Sequence, residues 1–324
     1  MIPVSRPSSV VRRSCILLAG LALCAGWAQP ADATSSKAGT RSFQFLKLGL
    51  GARAVALGGA FTGRADDASA MYWNPAGLQE LHKPELLMSH LKFIEDISYS
   101  GIAYAQPLPR RFGTLGTYVT ALTMGQIDKT IAVAGAPFFQ KVGSFTASDY
   151  LIALCYGNRL GLWGMPLRYG ISVKYFKEKI DEATATAIAV DIGLKWKSSD
   201  FPIDIAFTAA NIGSASPFDV VREKLPEQFT FGVNFRPFLG RLNLGTDLVF
   251  PTDNQPYFNL GAEFWAVHFL AFRAGYTARA ENTSDEKGYS LGMGFRIYKL
   301  VIDYAFKPYD TFGSAHQFAL SLKF

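Results

Sequence analysis

The sequence predicts an all-β fold: a closed antiparallel transmembrane β-barrel of about fourteen strands with a small N-terminal plug. Three observations carry this. In the last segment Phe318, Leu320, Leu322 and Phe324 are apolar and alternate with Gln317, Ala319, Ser321 and Lys323. A period-2 stripe ending on a C-terminal aromatic suits a lipid-facing closing strand and its recognition during assembly. Second, the alternation recurs, for example at Phe229, Phe231, Val233 and Phe235 and at Tyr289, Leu291, Met293, Phe295 and Ile297. A soluble sandwich alternates too, but so many strands of about ten residues with few helices between them fit a barrel better. Third, 49% of the 324 residues are hydrophobic. Beyond the first thirty residues, none of this lies in a run near the ~18 residues of a membrane helix. Strands can cross lipid only as a closed barrel, because every backbone group needs an internal partner.

The elements follow in order. Residues 1–33 read as a removable signal peptide, with basic Arg12 and Arg13, an apolar stretch Ile16 to Ala25, and small residues at Ala31-Asp32-Ala33 or Gly26-Trp27-Ala28 for cleavage. Leu23 before Cys24 argues against a lipoprotein. Residues 34–83 form the plug segment, with a polar lead at 34–42, and residues 84–324 the barrel. Strands are expected at 85–92, 97–107, 112–123, 146–158, 166–178, 184–197, 202–212, 226–237, 240–250, 256–265, 268–279, 286–297, 299–307 and 315–324. Placing both termini on the periplasmic side makes short and long connections mostly alternate, which requires an even strand number; twelve or sixteen keep the same parity. Lys174, Asp191, Lys195, Asp204, Arg236, Asp247, Glu263, Arg273, Arg279, Arg296, Asp303 and Lys307 fall on the inward face. Isolated charges are expensive in a dry core, whereas in a lumen they can pair with each other or with a plug. Tyr257, Trp265, Tyr298 and Tyr309, near strand ends, suit an interfacial girdle or simple strand propensity. The loop at 124–145 is unusually apolar. Ile131, Val133, Phe138 and Phe139 make it a candidate surface for a partner or ligand, or a cover for the barrel mouth. The loop at 213–225 is a second such candidate.

Several function classes are excluded. Once the signal is removed, Cys155 stands alone, so no internal disulfide forms. The four histidines have no metal-ligand spacing, and no nucleophile–base set is evident, so no metal, cofactor or enzymatic activity is expected. Net charge is +6, or about +4 without residues 1–33, too small and scattered for nucleic acid. Gly58-Gly59 lacks the Lys-Ser/Thr and βαβ setting of a phosphate loop.

Residues 45–78 narrow the reading. Gly51, Gly58 and Gly59 permit tight turns and close backbone approach. Ala65 to Met71 suits a short helix with Asp66 and Asp67 in its first turn. Asn74-Pro75 initiates a turn, and Gly77 can follow in a left-handed conformation. If polar contacts seat the plug, Arg53, Asp66, Asp67 and Asn74 are the residues expected to meet the inward charges. The runs Gly51-Ala52-Arg53-Ala54, Gly58-Gly59-Ala60-Phe61, Ala65-Asp66-Asp67-Ala68 and Tyr72-Trp73-Asn74-Pro75-Ala76-Gly77-Leu78 resemble the N-terminal signature of the PorV/PorQ family. That family lies within the wider FadL-like group of bacterial outer-membrane barrels. The resemblance implies that the Asn-Pro-Ala element sits in a plug inside a fourteen-stranded barrel. It also implies an activity: a non-enzymatic accessory scaffold for protein secretion is the expectation, with a channel for hydrophobic solutes as the alternative. PorV-like members are type IX secretion accessories that bind exported cargo proteins and deliver them to a translocon or the attachment machinery. FadL-like members pass long-chain fatty acids and other hydrophobic small molecules through a lateral opening in the wall. In both, outer-membrane lipid surrounds the barrel.

Overall fold

The computed structural model describes residues 41–93, 96–132, 139–162, 165–217, 224–238, 240–279, 288–310 and 313–324. Fourteen antiparallel strands close into a barrel in which each pairs with its neighbours in the chain and the last returns to the first. They are β1 (Glu85–Lys92), β2 (Ser98–Pro107), β3 (Thr114–Thr123), β6 (Ala147–Leu162), β7 (Met165–Ile180), β8 (Ala183–Lys197), β9 (Ile203–Ala215), β10 (Gln228–Phe235), β11 (Leu242–Pro251), β12 (Tyr257–Val267), β13 (Leu270–Ala278), β14 (Tyr289–Ile297), β15 (Leu300–Pro308) and β16 (Ser314–Lys323). The two remaining strands, β4 (Ile127–Ala132) and β5 (Phe139–Phe145), make a separate hairpin. Within the apolar loop expected at 124–145, residues 127–132 and 139–145 are therefore paired strands. β6 and β7 also run longer than expected and shrink the turn at 159–165 to the residues between Leu162 and Met165.

Closure is by β1 against β16, from Glu85 opposite Lys323 to Lys92 opposite His316. The backbone N–H of Phe324 then donates to Pro84 O at 3.0 Å. Phe318 and Leu320 point outward and are exposed, while Gln317, Ala319 and Ser321 point inward and are buried. The same polarity runs round the barrel. Ile152, Ile171, Ile188, Phe231, Phe272 and Leu291 are exposed on the outer face, and Lys174, Asp191, Lys195, Asp204, Asp247, Glu263 and Arg273 are buried within. An outer surface that apolar around a charged interior is that of a membrane-spanning barrel, because water would penalise the outside and a dry core the inside. No described helix is long and apolar enough to cross a membrane.

One end carries the short links at 108–113, 198–202, 236–241, 268–269 and 298–299, and the start of β1 and end of β16. We call it the turn end, and the opposite one the loop end. The lumen is filled by residues 43–80: a 3-10 turn at Gln44–Lys47, helix α1 (Ala52–Ala56), helix α2 (Ala70–Trp73) and a 3-10 helix at Pro75–Glu80. This segment starts at the loop end, where the Phe43 N–H donates to Glu178 Oε2 (2.9 Å) and Lys47 pairs with Asp253 (2.5 Å). It leaves at the turn end through Leu81–Pro84. Placing both termini at the turn end thus holds for the C-terminus and the start of β1, but residues 41–48 lie at the other mouth.

Candidate functional site

The plug reaches the wall because glycines on both sides remove the side chains that would separate them. Gly58 and Gly59 take φ of +64° and +79°, a region costly for other residues. Opposite them, a Cβ on wall residue Gly261 would stand 2.7 Å from Leu57 O, and one on Gly245 would stand 2.6 Å from Ala60 O. Backbone donors then find wall carboxylates: the N–H groups of Phe61 and Thr62 donate to Asp247 Oδ2 at 3.1 and 2.9 Å.

Charge fixes the rest. Arg53, on α1, donates from Nε and Nη2 to the two oxygens of Glu263 on β12 (2.8 and 3.1 Å). Its Nη1 reaches Asp66 (2.7 Å) and Asp67 (3.0 Å). Arg64 pairs with Asp66 at 2.7 Å and lies 3.5 Å from Glu263. Arg273 on β13 bridges Glu263 (2.9 Å) and Asp303 on β15 (2.7 Å). The Glu263 side chain is only 1% exposed. Burial works against the Asp66 carboxylate, but Arg53 and Arg64 outweigh it and hold Asp66 well below the usual carboxylate range. Three of the four expected seating residues thus join one network. Arg64 was missed, although it is the sole cation of the Gly63-to-Asp67 stretch.

Asn74 acts on the backbone rather than on the lumen charges. Its Oδ1 accepts from the Ala76 N–H (3.1 Å), capping the 3-10 helix that begins with Pro75, and its Nδ2 donates to Thr62 O (3.1 Å). Other local expectations need correction. Asp66 and Asp67 lie outside α2, because their carboxylates turn to arginines and Asp67 Oδ1 accepts from Ser69 N (2.9 Å). Gly77 has no left-handed backbone; it is needed because a Cβ there would collide with Ala65 O. Gly51 does take positive φ (+89°), as the residue before α1.

Tyr257 and Trp265 share the inward face with Glu263 rather than an outer girdle. Arg279 lies 4.5 Å over the Tyr257 ring and Arg296 lies 4.2 Å over Trp265. Tyr309 packs edge-on against Phe93. Tyr298 is fully exposed at its turn. In the candidate partner loop, Ile131 and Phe139 are exposed on the β4–β5 hairpin, Phe139 to 74%. Val133 and Phe138 lie outside the described residues, as do the signal segment and residues 218–223 of the second loop.

Between the plug and the loop end lies a cavity of about 100 Å³. Leu46, Leu48, Val55 and Val249 give it apolar patches, and Tyr72, Trp73 and Tyr257 aromatic ones. Four cations, Lys47, Lys174, Arg279 and Lys307, line it against one carboxylate, Asp247, among the described lining residues. Lys174 is placed by a wall irregularity: the β8–β9 register shifts between Val190 and Ile192, and Asn211 takes φ of +62°. Lys174 pairs with Asp191 and donates to Asn211 Oδ1 (2.9 Å). Neighbouring strands are nonetheless paired all round, so the described wall holds no lateral opening.

A plugged, membrane-spanning barrel with a mixed apolar and cationic lumen pocket is the class this geometry defines. Solved structures share the fold. The Ralstonia pickettii toluene transporter TbuX superposes with a TM-score of 0.56 at 15% identity, over 85% of this chain and 98% of that one. The deltaS2S3 mutant of the TodX monoaromatic hydrocarbon channel gives 0.54 at 13% identity, over 85% and 99%. A Pseudomonas aeruginosa FadL homologue gives 0.51 at 12%, over 84% and 97%. The fold is thus that of the FadL-like barrels of the outer membrane. By sequence, residues 21–201 match the model of the uncharacterised protein family UPF0164, and the chain belongs to that family. No curated protein matches it.

Proposed function

We propose that this protein is a non-enzymatic outer-membrane channel for hydrophobic small molecules, and that its lumen pocket takes an amphiphile with an anionic head. The pocket between plug and loop end carries the reading: apolar and aromatic patches suit a tail or ring, and Arg279 and Lys307 beside them suit a carboxylate, while Lys47 and Lys174 already pair with Asp253 and Asp191. The names of the similar solved structures, a toluene transporter and a monoaromatic hydrocarbon channel, agree with a hydrophobic solute. In this reading residues 34–83 act as the plug that must rearrange for passage, and residues 1–33 as a signal removed on export.

The test is binding and uptake of labelled oleate by the purified protein in liposomes. Saturable binding weakened about tenfold by Lys307→Gln with Arg279→Gln is expected. Absence of binding and of uptake would sink the channel reading.

A secretion scaffold of PorV/PorQ type is the second reading. The observation favouring it is the β4–β5 hairpin, whose exposed Ile127, Ile131, Phe139 and Val142 could dock an exported cargo protein or a translocon. Purification from gently solubilised membranes separates the two. Retained secreted proteins would favour the scaffold, and a protein returning alone with fatty acids or other apolar molecules favours the channel.

A further inference from the structure

We propose that the turn-end mouth carries an oxyanion-binding site, built on a row of cations across three adjacent strands. Strand register puts Arg159 of β6 directly opposite Arg168 of β7, and Arg168 directly opposite Lys195 of β8. Directly opposed residues share a face. That face is the lumen, since Lys195 is buried and its Nζ donates to plug carbonyl Arg64 O at 2.5 Å. Lys197 follows two residues later on the same face.

Like charges directly opposite one another destabilise a sheet unless an anion lies between them. The plug supplies one. Glu80, at the end of the 3-10 helix, lies 3.2 Å from Arg168 Nε, 3.0 Å from Lys197 Nζ and 3.6 Å from Lys195 Nζ. Asp204 of β9 lies directly opposite Lys197 but is itself paired with Arg236 at 2.8 Å, so Glu80 and Asp204 face five cations and positive charge stays in excess. Arg168 Nη1 is buried with no hydrogen-bond partner. Arg159 is exposed and has no carboxylate partner among the described residues. The row therefore grades from an open guanidinium at the mouth to an ammonium buried against the plug. A carboxylate or a phosphate entering from the turn end would meet Arg159 and Lys197 first, with the buried, unpartnered Nη1 of Arg168 behind them and Glu80 as its internal competitor. Because the loop-end cavity lies on the other side of the plug, this site stands or falls independently of the channel reading.

The experiment is titration calorimetry on the full protein in detergent at low ionic strength. Inorganic phosphate and acetate are the probes, neither having a tail to enter the other cavity. The variants are Arg159→Gln with Lys197→Gln, Arg159→Gln alone, and Glu80→Gln, each checked for folding by heat-dependent gel mobility. Saturable binding of either probe is expected, weakened about tenfold in the double variant and several-fold in Arg159→Gln. In Glu80→Gln it should be tighter, which a purely structural role for the row would not produce. Phosphate alone binding identifies a phosphate-bearing ligand, and acetate alone a carboxylate. No saturable heat with either probe, or equal binding by wild type and Arg159→Gln, overturns the proposal.

Discussion

Replacing Arg53 by methionine keeps most of the side chain's bulk and removes its charge, which isolates what the guanidinium does for the plug. In the native protein Arg53 holds both oxygens of Glu263 and touches Asp66 and Asp67, and its side chain is 13% exposed. Removing one partner of a buried ion pair costs about 3–5 kcal/mol, because a desolvated charge is left behind. Glu263 keeps Arg273 at 2.9 Å and Arg64 at 3.5 Å, and Asp66 keeps Arg64 at 2.7 Å, so the lower end applies. The expected loss is about 3 kcal/mol, roughly a hundredfold in the equilibrium between seated and released plug. Conductance in a planar bilayer reads this directly: Arg53→Met should open far more often than wild type, while the wall keeps its strand content by circular dichroism. Arg53→Lys should fall between, since an ammonium cannot reproduce the bidentate contact. An Arg53→Met protein with wild-type conductance and wild-type melting would refute the reasoning, because the network would then contribute nothing to seating.

Gly245→Val should unseat the plug by overpacking, with a loss of about 1–3 kcal/mol in thermal unfolding, since its Cβ would stand 2.6 Å from Ala60 O. Asn74→Ala should cost about 1–2 kcal/mol through the lost cap on Ala76 and the freed Thr62 carbonyl, read as faster proteolysis of the plug. The Asp66 carboxylate is held low by its arginines in the folded state, so its contribution is fully present above the unfolded value of about 4 and fades only as pH falls below that. The difference in conductance between wild type and Asp66→Asn should accordingly be flat from pH 8 to pH 5 and shrink in stronger acid; a difference that already shrinks between pH 8 and pH 6 would contradict the assignment. Phe324→Ser should lower the fraction of assembled barrel in cells, measured by heat-dependent gel mobility, while sparing synthesis of the chain.

The wall was legible because its signal is local. A period of two, repeated at Phe229–Phe235 or Tyr289–Ile297, assigns each side chain to lipid or lumen without knowledge of its neighbours. The same parity already put Tyr257 and Trp265 beside Glu263, and reading it strictly would have kept both out of a girdle. The β4–β5 hairpin was not legible, because apolar residues on an exposed two-stranded ribbon read like a cover over the mouth. In the plug, Arg53, Asp66 and Asp67 stood out as charges in an apolar, glycine-rich segment. Their partner Glu263 was one of twelve inward charges, and choosing it requires the distance across the lumen, which no periodicity encodes. The row Arg159, Arg168 and Lys195 was hidden for a related reason: it exists only once the register of three strands is known.

The plug is joined covalently to the wall at one place, the four residues Leu81–Pro84 that lead into β1. Its loop-end contacts, such as Phe43 with Glu178 and Lys47 with Asp253, are all non-covalent. A plug that lets go therefore stays leashed at the turn end. A short leash keeps its contact groups near their wall partners at an effective concentration of about millimolar, so rebinding is an intramolecular event that does not depend on how much protein the membrane holds. In the proposed channel, release would be reversible by connectivity, and an open state would end when the plug swings back on its own tether.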